Sequence, residues 1–258
     1  VYVFEVPSGE FLFELERPDG FDGVRFGVSV AVNTTQVVVG SGGQAFVYRL
    51  SDGAYQYKLV LEELGDDDGF GSPVAICDDY VLVSASAMDI GVVNRGAVFV
   101  FDARTGDLLH RLVANDPNPD HFFGAGLDAD GTFAIIGAVG DDGQGPFTGA
   151  MYLHDLETGR QVRKIPAPGF SSFHQIGFEV AISGDRMVFG DQQESRNGSA
   201  SGRAYVHNIT TGARTHDLEP EFPSPFMFFG SAVEIDGPDI VVGAPLDQLG
   251  RVYFFDRN

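Results

Sequence analysis

The stretch Phe229-Gly-Ser-Ala-Val-Glu-Ile-Asp-Gly-Pro-Asp-Ile-Val-Val-Gly243 holds two short apolar runs around the tight-turn pair Asp236-Gly237, the pattern of an antiparallel hairpin. Its frame recurs along the chain. A Phe-Gly or Ile-Gly pair stands at Phe26-Gly27, Phe70-Gly71, Phe123-Gly124, Ile176-Gly177 and Phe229-Gly230, and 13 residues after each of these glycines the second run closes, at Gly40, Ser84, Gly137, Gly190 and Gly243. Counting back 18 residues from the same glycines reaches a small-residue turn each time: Ser8-Gly9, Asp52-Gly53, Thr105-Gly106, Thr158-Gly159 and Thr211-Gly212. Two distances that never vary over five copies, at steps of 44, 53, 53 and 53 residues, mark one structural unit repeated.

Each unit reads as four short strands. Strand a follows the Phe-Gly pair and carries an apolar residue at Val30, Val74, Leu127, Val180 or Val233; strand b is an apolar run such as Gln36 to Gly40, expected to be buried on both faces. Strand c alternates, as in Val98 to Phe101, and strand d follows the Thr-Gly turn and ends near Leu15, Leu59, Leu112, Ile165 or Leu218. All length variation falls between b and c, where 6, 15, 15, 15 and 10 residues separate the end of b from Phe46, Phe99, Tyr152, Tyr205 and Tyr253, which marks a surface loop. Nothing reads as a helix. The expected fold is all-β: one β-propeller domain over 1–258, with four-stranded antiparallel blades. Its repeat units run approximately 1–44, 45–97, 98–150, 151–203 and 204–251, and 252–258 starts a sixth with one extra strand. A sandwich or barrel of hairpins is the alternative, and the fixed phase argues against it.

Composition narrows the function. The 16 basic and 37 acidic residues leave a formal charge of -21, which repels nucleic acid and anionic membranes, so neither is expected as a partner. Only Lys58 and Lys164 are lysines, a bias that suits a salty or extracellular medium. Cys77 is the only cysteine, so no disulfide forms within the chain. No apolar run reaches the 18 or so residues of a membrane helix, and direct membrane insertion is not expected. Val1 opens directly in a strand-like run without a start methionine, so the amino terminus is expected to have been processed or cut away.

These residues resemble the FG-GAP repeats of integrin α subunits and of many surface proteins. The fifth unit, Phe229 to Asp247 followed by Gly250 to Phe255, is the nearest to the pattern, and the third keeps Phe123-Gly124 and Ile136-Gly137-Ala138. The resemblance implies an extracellular or cell-surface propeller that binds ligands through the face bearing the d-to-a and b-to-c connections. Integrin-like repeats often carry a calcium loop between strands a and b. Here the 13-residue distance leaves room only for a tight turn, and Asp128-Ala-Asp130-Gly131 lacks the further oxygen ligands calcium needs. No cofactor or metal is therefore expected, with calcium left open. Such propellers usually have seven blades, whereas this chain holds five units and a last strand, Val252-Tyr-Phe-Phe255, that repeats Val1-Tyr-Val-Phe4. Either the ring closes with five blades and a displaced strand, or the chain is part of a larger ring, and the second is favoured slightly.

On that loop face, Asp66, Asp67, Asp68, Asp89, Arg95, Asp141, Asp142 and Asp247 are the candidate ligand-binding residues; the plain alternative is that they are solvated loops keeping an acidic protein soluble. His154 and His207 replace aromatics of other units and read as packing residues. No metalloprotease, nucleophile-elbow or phosphate-loop pattern occurs, so no catalytic residues are named and the chain is not expected to be an enzyme. Sequons at Asn33, Asn197 and Asn208 hint at a secreted glycoprotein. The leading expectation is a non-catalytic adhesion or binding module for a protein or glycan, belonging to a larger chain or assembly if the ring is larger. A structural subunit of an extracellular filament or surface layer is second. A propeller hydrolase or lyase is third, and would need convergent acids or histidines in the central channel.

Overall fold

The apolar second run of each repeat becomes a largely buried strand in the middle of a sheet, and the sheets follow one another along the chain in a computed structural model that describes residues 1–18, 25–116, 118–168, 174–247 and 249–256. A hairpin of β1 (Tyr2–Phe4) and β2 (Phe11–Glu14) comes first. Four four-stranded sheets follow. The first contains β3 (Ser29–Val32), β4 (Gln36–Ser41), β5 (Gln44–Arg49) and β6 (Tyr55–Leu59); the second β7 (Val74–Cys77), β8 (Tyr80–Ala85), β9 (Ala97–Asp102) and β10 (Leu108–Leu112). The third contains β11 (Phe123–Asp130), β12 (Phe133–Ala138), β13 (Ala150–Asp155) and β14 (Arg160–Pro166); the fourth β15 (Val180–Ser183), β16 (Arg186–Asp191), β17 (Arg203–Asn208) and β18 (Arg214–Leu218). A three-stranded sheet of β19 (Ala232–Asp236), β20 (Asp239–Ala244) and β21 (Arg251–Phe255) ends the row.

Within every sheet consecutive strands pair antiparallel in the order a, b, c, d, so a repeat unit counted from strand c gives c and d to one sheet and a and b to the next. Among the described residues there is no α-helix, and Asp66–Asp68 forms a short 3-10 turn. The architecture is that of a β-propeller: four-stranded antiparallel sheets in series, packed face to face.

The core lies between successive sheets. One cluster joins Val98, Val100 and Leu112 of the second sheet to Phe123, Leu127, Ile136 and Tyr152 of the third; another joins Val206 and Leu218 to Phe229, Val233 and Ile240. The aromatic of the Phe-Gly pair sits in these seams, fully buried at Phe70, Phe123 and Phe229, and each such side chain contributes roughly 1.5–3 kcal/mol of burial. Inner strands are also tied by side chains that accept amide protons from the next inner strand or the turn that follows it: Ser29 Oγ from Val74 N (3.0 Å), Asp128 Oδ2 from Ile182 N (2.8 Å), Asp130 Oδ2 from Gly184 N (2.7 Å) and Ser183 Oγ from Gly237 N (3.1 Å). Edge amides that would otherwise lie unpaired between sheets are satisfied in this way.

The last strand settles where the termini sit. β21 pairs with β20, and among the described residues β1 pairs only with β2, so the arrangement in which β1 and β2 join β19 and β20 is not formed. The hairpin nevertheless keeps its place in the repeat. The c-to-d turn glycines Gly106, Gly159 and Gly212 pack on Tyr57, His110 and Arg163 of the preceding d strand, and Gly53 packs on Phe13 of β2 in the same way. β1 and β2 are thus the c and d strands of a sheet lying before the first complete one.

Candidate ligand-binding face

The d-to-a and b-to-c connections emerge on one face, and hydrogen bonds between sheets hold them there. Asp120 N, Phe122 N and Phe123 N donate to Val93 O, Asn94 O and Arg95 O of the sheet before (2.9, 3.0 and 3.1 Å). The same pattern returns one sheet later, where Gln175 N and Ile176 N donate to Phe147 O and Thr148 O (3.0 and 3.1 Å), and again where Phe228 N and Phe229 N donate to Ala200 O and Ser201 O (3.1 and 3.2 Å). To make these bonds Phe122, Phe147 and Gln175 take φ of 50°, 53° and 54°, a left-handed backbone that costs a non-glycine residue roughly 1–3 kcal/mol. The long loops are therefore pre-shaped by the neighbouring sheet.

Those strained residues surround a cavity. Phe122, Phe147 and Phe178 line it with Ala125, Val139, Ser86 and Gln175, enclosing about 240 Å³. Six of them come from b-to-c or d-to-a segments of the second, third and fourth sheets, and Ala125 lies near the start of β11. Phe147 and Phe178 are partly open to solvent. An aromatic wall with two polar groups at its margin suits an apolar group of a ligand. The sequence reading does not single out these three phenylalanines; the signal available is their position, two residues before Gly124 and Gly149 and next to Gly177.

Beneath the same loop lies a charged knot. Lys164 Nζ donates to Asp116 Oδ2 and to Asp141 Oδ2, both at 2.5 Å, and Tyr152 OH lies 3.0 Å from an oxygen of each aspartate. His121 Nε2 stands 3.2 Å from Asp141 Oδ2. His121, Asp141 and Tyr152 are all buried. Burial alone would push the Asp141 carboxyl up, but the hydrogen bonds from His121, Lys164 and Gly143 outweigh it and hold the group well below the usual carboxylate range. Asp191 and His174 form a second buried pair in the next sheet, at 2.8 Å, and that hydrogen bond raises the His174 pKa. These are structural pairs that fix the loop bases, since breaking a buried pair leaves an uncompensated charge.

The residues named from the sequence divide into two groups. Asp67, Asp89 and Asp142 are exposed on the loop face and Asp68 is half-buried, its Oδ2 accepting from Gly65 N; the backbone of Asp66 lies in the 3-10 turn. Asp89 and Asp120 are joined through Asn94, whose amide N donates to Asp89 Oδ1 and whose Nδ2 donates to Asp120 Oδ1, both at 2.8 Å. Asp141 and Asp247 are instead buried, Asp247 accepting from Tyr253 OH and pairing with Arg251 at 3.4 Å. Arg95 turns inward to Ala114 O (2.8 Å). Asn33 lies in an a-to-b turn and Asn208 at the end of β17, both towards the opposite face, and Asn197 lies in a loop of this one. Asn197 Nδ2 donates to Glu219 and Asn208 Nδ2 to Asp185.

Of the remaining reactive groups, the Cys77 thiol is pushed up to about 12, first by burial and then by Asp78 and Asp128, so it is a poor nucleophile. Burial pushes the His154 pKa down to about 4 and lowers that of His207, and both rings pack against phenylalanines, His154 on Phe123 and His207 on Phe189.

Comparison with known proteins gives a consistent picture. A family model described as FG-GAP repeat matches three consecutive copies, at residues 54–101, 108–154 and 160–207. No curated protein sequence matches the chain. Among solved structures, U3-55K superposes on all of this chain with a TM-score of 0.66 at 14% identity, the match covering 71% of U3-55K. Kuenenia stuttgartiensis hydrazine synthase superposes on 92% of it with a TM-score of 0.61 at 13% identity, and the match spans 64% of that chain, less than two thirds. At such identities the likeness is one of fold alone.

Proposed function

The chain belongs to the FG-GAP repeat family, and from that premise we propose that it is a non-catalytic binding module of the cell surface or extracellular space, taking a protein or glycan ligand on its loop face. FG-GAP repeats are found in extracellular propeller domains of the binding and adhesion type. Among the described residues no helix is long and apolar enough to cross a membrane. The observation that carries the reading is the cavity walled by Phe122, Phe147 and Phe178 on the face where the connections are fixed in advance. A pre-shaped apolar socket saves the ordering entropy that a free loop would lose on binding. Asp67, Asp89 and Asp142, exposed on loops of the same face, would favour the approach of basic groups, screened at high salt.

The test is a comparison of the protein with its Phe147→Ala, Phe178→Ala double variant on arrays of extracellular proteins and of glycans. Ligands whose signal drops at least about tenfold in the variant, and holds in the opposite-face variant Asp107→Ala, support the reading. Ligands that bind both variants equally would place recognition elsewhere.

A further inference from the structure

One position of the inner strand has the same duty in three successive sheets and a different one in the first. Cys77, Asp130 and Ser183 each stand six residues after the glycine of a Phe-Gly or Ile-Gly pair, at Gly71, Gly124 and Gly177, and Asn33 stands six after Gly27. The three reach forward to the a-to-b turn of the next sheet: Cys77 Sγ donates to Gly131 O (3.5 Å), Asp130 Oδ2 accepts from Gly184 N (2.7 Å) and Ser183 Oγ accepts from Gly237 N (3.1 Å). Asn33 turns back on its own turn instead. Its Oδ1 accepts from Thr35 N (2.9 Å), Thr35 Oγ1 (3.2 Å) and Gln36 N (2.8 Å), the hydrogen bonds of an Asx-turn. Among the described residues its Nδ2 donates to nothing.

Asn33 also opens the sequon Asn33-Thr34-Thr35, and two more sequons stand at Asn197-Gly198-Ser199 and Asn208-Ile209-Thr210. The sugar of an N-linked glycan is joined to Nδ2, so an occupied sequon must fold with that nitrogen open to solvent. At the second and third sequons it is engaged. Asn197 Nδ2 donates to Glu219 Oε2 and Asn208 Nδ2 to Asp185 Oδ2 (2.8 and 3.1 Å). The neighbouring residues are held as well: Ser199 O accepts from Phe226 N (2.7 Å), and Ile209 is 6% exposed, packed in the core between the third and fourth sheets. Thr34 and Thr35 are exposed.

We propose that Asn33 carries an N-linked glycan and that Asn197 and Asn208 stay bare. The step is transfer from a glycosyl group activated on a lipid-linked pyrophosphate, made by a glycosyltransferase of the secretory route. Asn33 Nδ2 attacks C1 of the sugar; the N–C1 bond forms as the C1–O bond to phosphate breaks, the bonding pair leaves with the pyrophosphate, and one amide proton passes to a base of the transferase. Oδ1 keeps its three hydrogen bonds, so the turn survives the modification. Because the a-to-b turns lie opposite the loop face, the glycan covers the far side of the molecule and leaves the pocket of Phe122, Phe147 and Phe178 open. The proposal rests on the extracellular placement proposed above and not on the nature of the ligand.

Peptide mapping by mass spectrometry of the protein recovered from its natural source tests it, beside cell fractionation that records whether the protein lies outside the cell. The expected result is a sugar on Asn33 in at least about half of the molecules, with occupancy at Asn197 and Asn208 at least about tenfold lower. Asn33→Gln made in the same source is expected to have the mass of the unmodified chain. Protein found outside the cell with Asn33 bare, or with Asn197 or Asn208 occupied as fully as Asn33, overturns this inference and leaves the extracellular reading standing. Protein found only inside the cell overturns that reading, and this inference with it.

Discussion

Two connections of the third sheet join antiparallel neighbours and yet belong to different mechanical worlds. The a-to-b turn at Asp130-Gly131 reverses the chain within its own sheet and meets its neighbours through side chains, Asp130 Oδ2 accepting from Gly184 N and Cys77 Sγ donating to Gly131 O; Gly131 has φ of 55° and a Cβ there would meet nothing within 4 Å. The b-to-c connection from Val139 to Gly149 is bonded through its backbone to the fourth sheet, and a Cβ on Gly149 would lie 2.0 Å from Ile176 O. One is a local solution to reversing the chain, and the other is part of the joint between blades. The lesson is that the loop face owes its shape to pairs of sheets, so damage to a loop base there is felt by two blades.

The sharpest way to break this contrast is at Asp141. Asp141→Ala leaves His121, Lys164 and Tyr152 without their shared acceptor and is expected to cost about 3–5 kcal/mol in urea denaturation, whereas Asp130→Ala, which loses one exposed bond to Gly184 N, should cost about 1 kcal/mol. Equal costs would mean that the loop base is no more coupled than the turn. Next come the glycines. Gly149→Ala must push back the neighbouring backbone and is expected to lose about 2–3 kcal/mol, while Gly131→Ala pays only for its left-handed conformation, about 1 kcal/mol.

Acid titration sharpens the contrast in another way. The Asp141 pKa is lowered on folding, so its contribution is present above the unfolded value of about 3.9 and fades as pH falls below it; Asp141→Asn should flatten the stability profile between about pH 4 and 2. Asp128 is the reverse case, since burial raises its carboxyl to about 7 against the bonds from Ile182 N and Ala129 N. Stability should therefore fall as pH rises from about 4 to about 7, and Asp128→Asn should remove that fall. The smallest effect on folding is expected at the pocket rim, where Phe178→Ala should change stability by less than about 1 kcal/mol while weakening ligand capture.

The repeat was legible because its phase is carried by backbone needs. Gly124, Gly177 and Gly230 recur where neighbouring sheets meet at backbone distance, and no other residue type fits. The site was far less legible. Asp141 and Asp142 are adjacent acids in a loop and look alike in the sequence, yet one is buried against Lys164, 23 positions on, and the other is solvated. Nothing local to Asp141 announces that partner. The three pocket phenylalanines come from three separate connections, and their convergence depends on the packing of sheets that pattern alone does not measure. Asp247 resembled a surface ligand for the same reason, until Tyr253 and Arg251 closed over it.

The bonds that run from Val93, Asn94 and Arg95 to Asp120, Phe122 and Phe123 bear on how the chain matures during synthesis. Because strands within a sheet are sequence neighbours, each sheet can form soon after it leaves the ribosome. Its long loop must wait for partners encoded 27 or 28 residues later, counting from Val93 O to Asp120 N and from Asn94 O to Phe122 N. Nascent blades would therefore emerge with finished sheets and unfinished loops, and each newly translated repeat would set the loop face of the one before it.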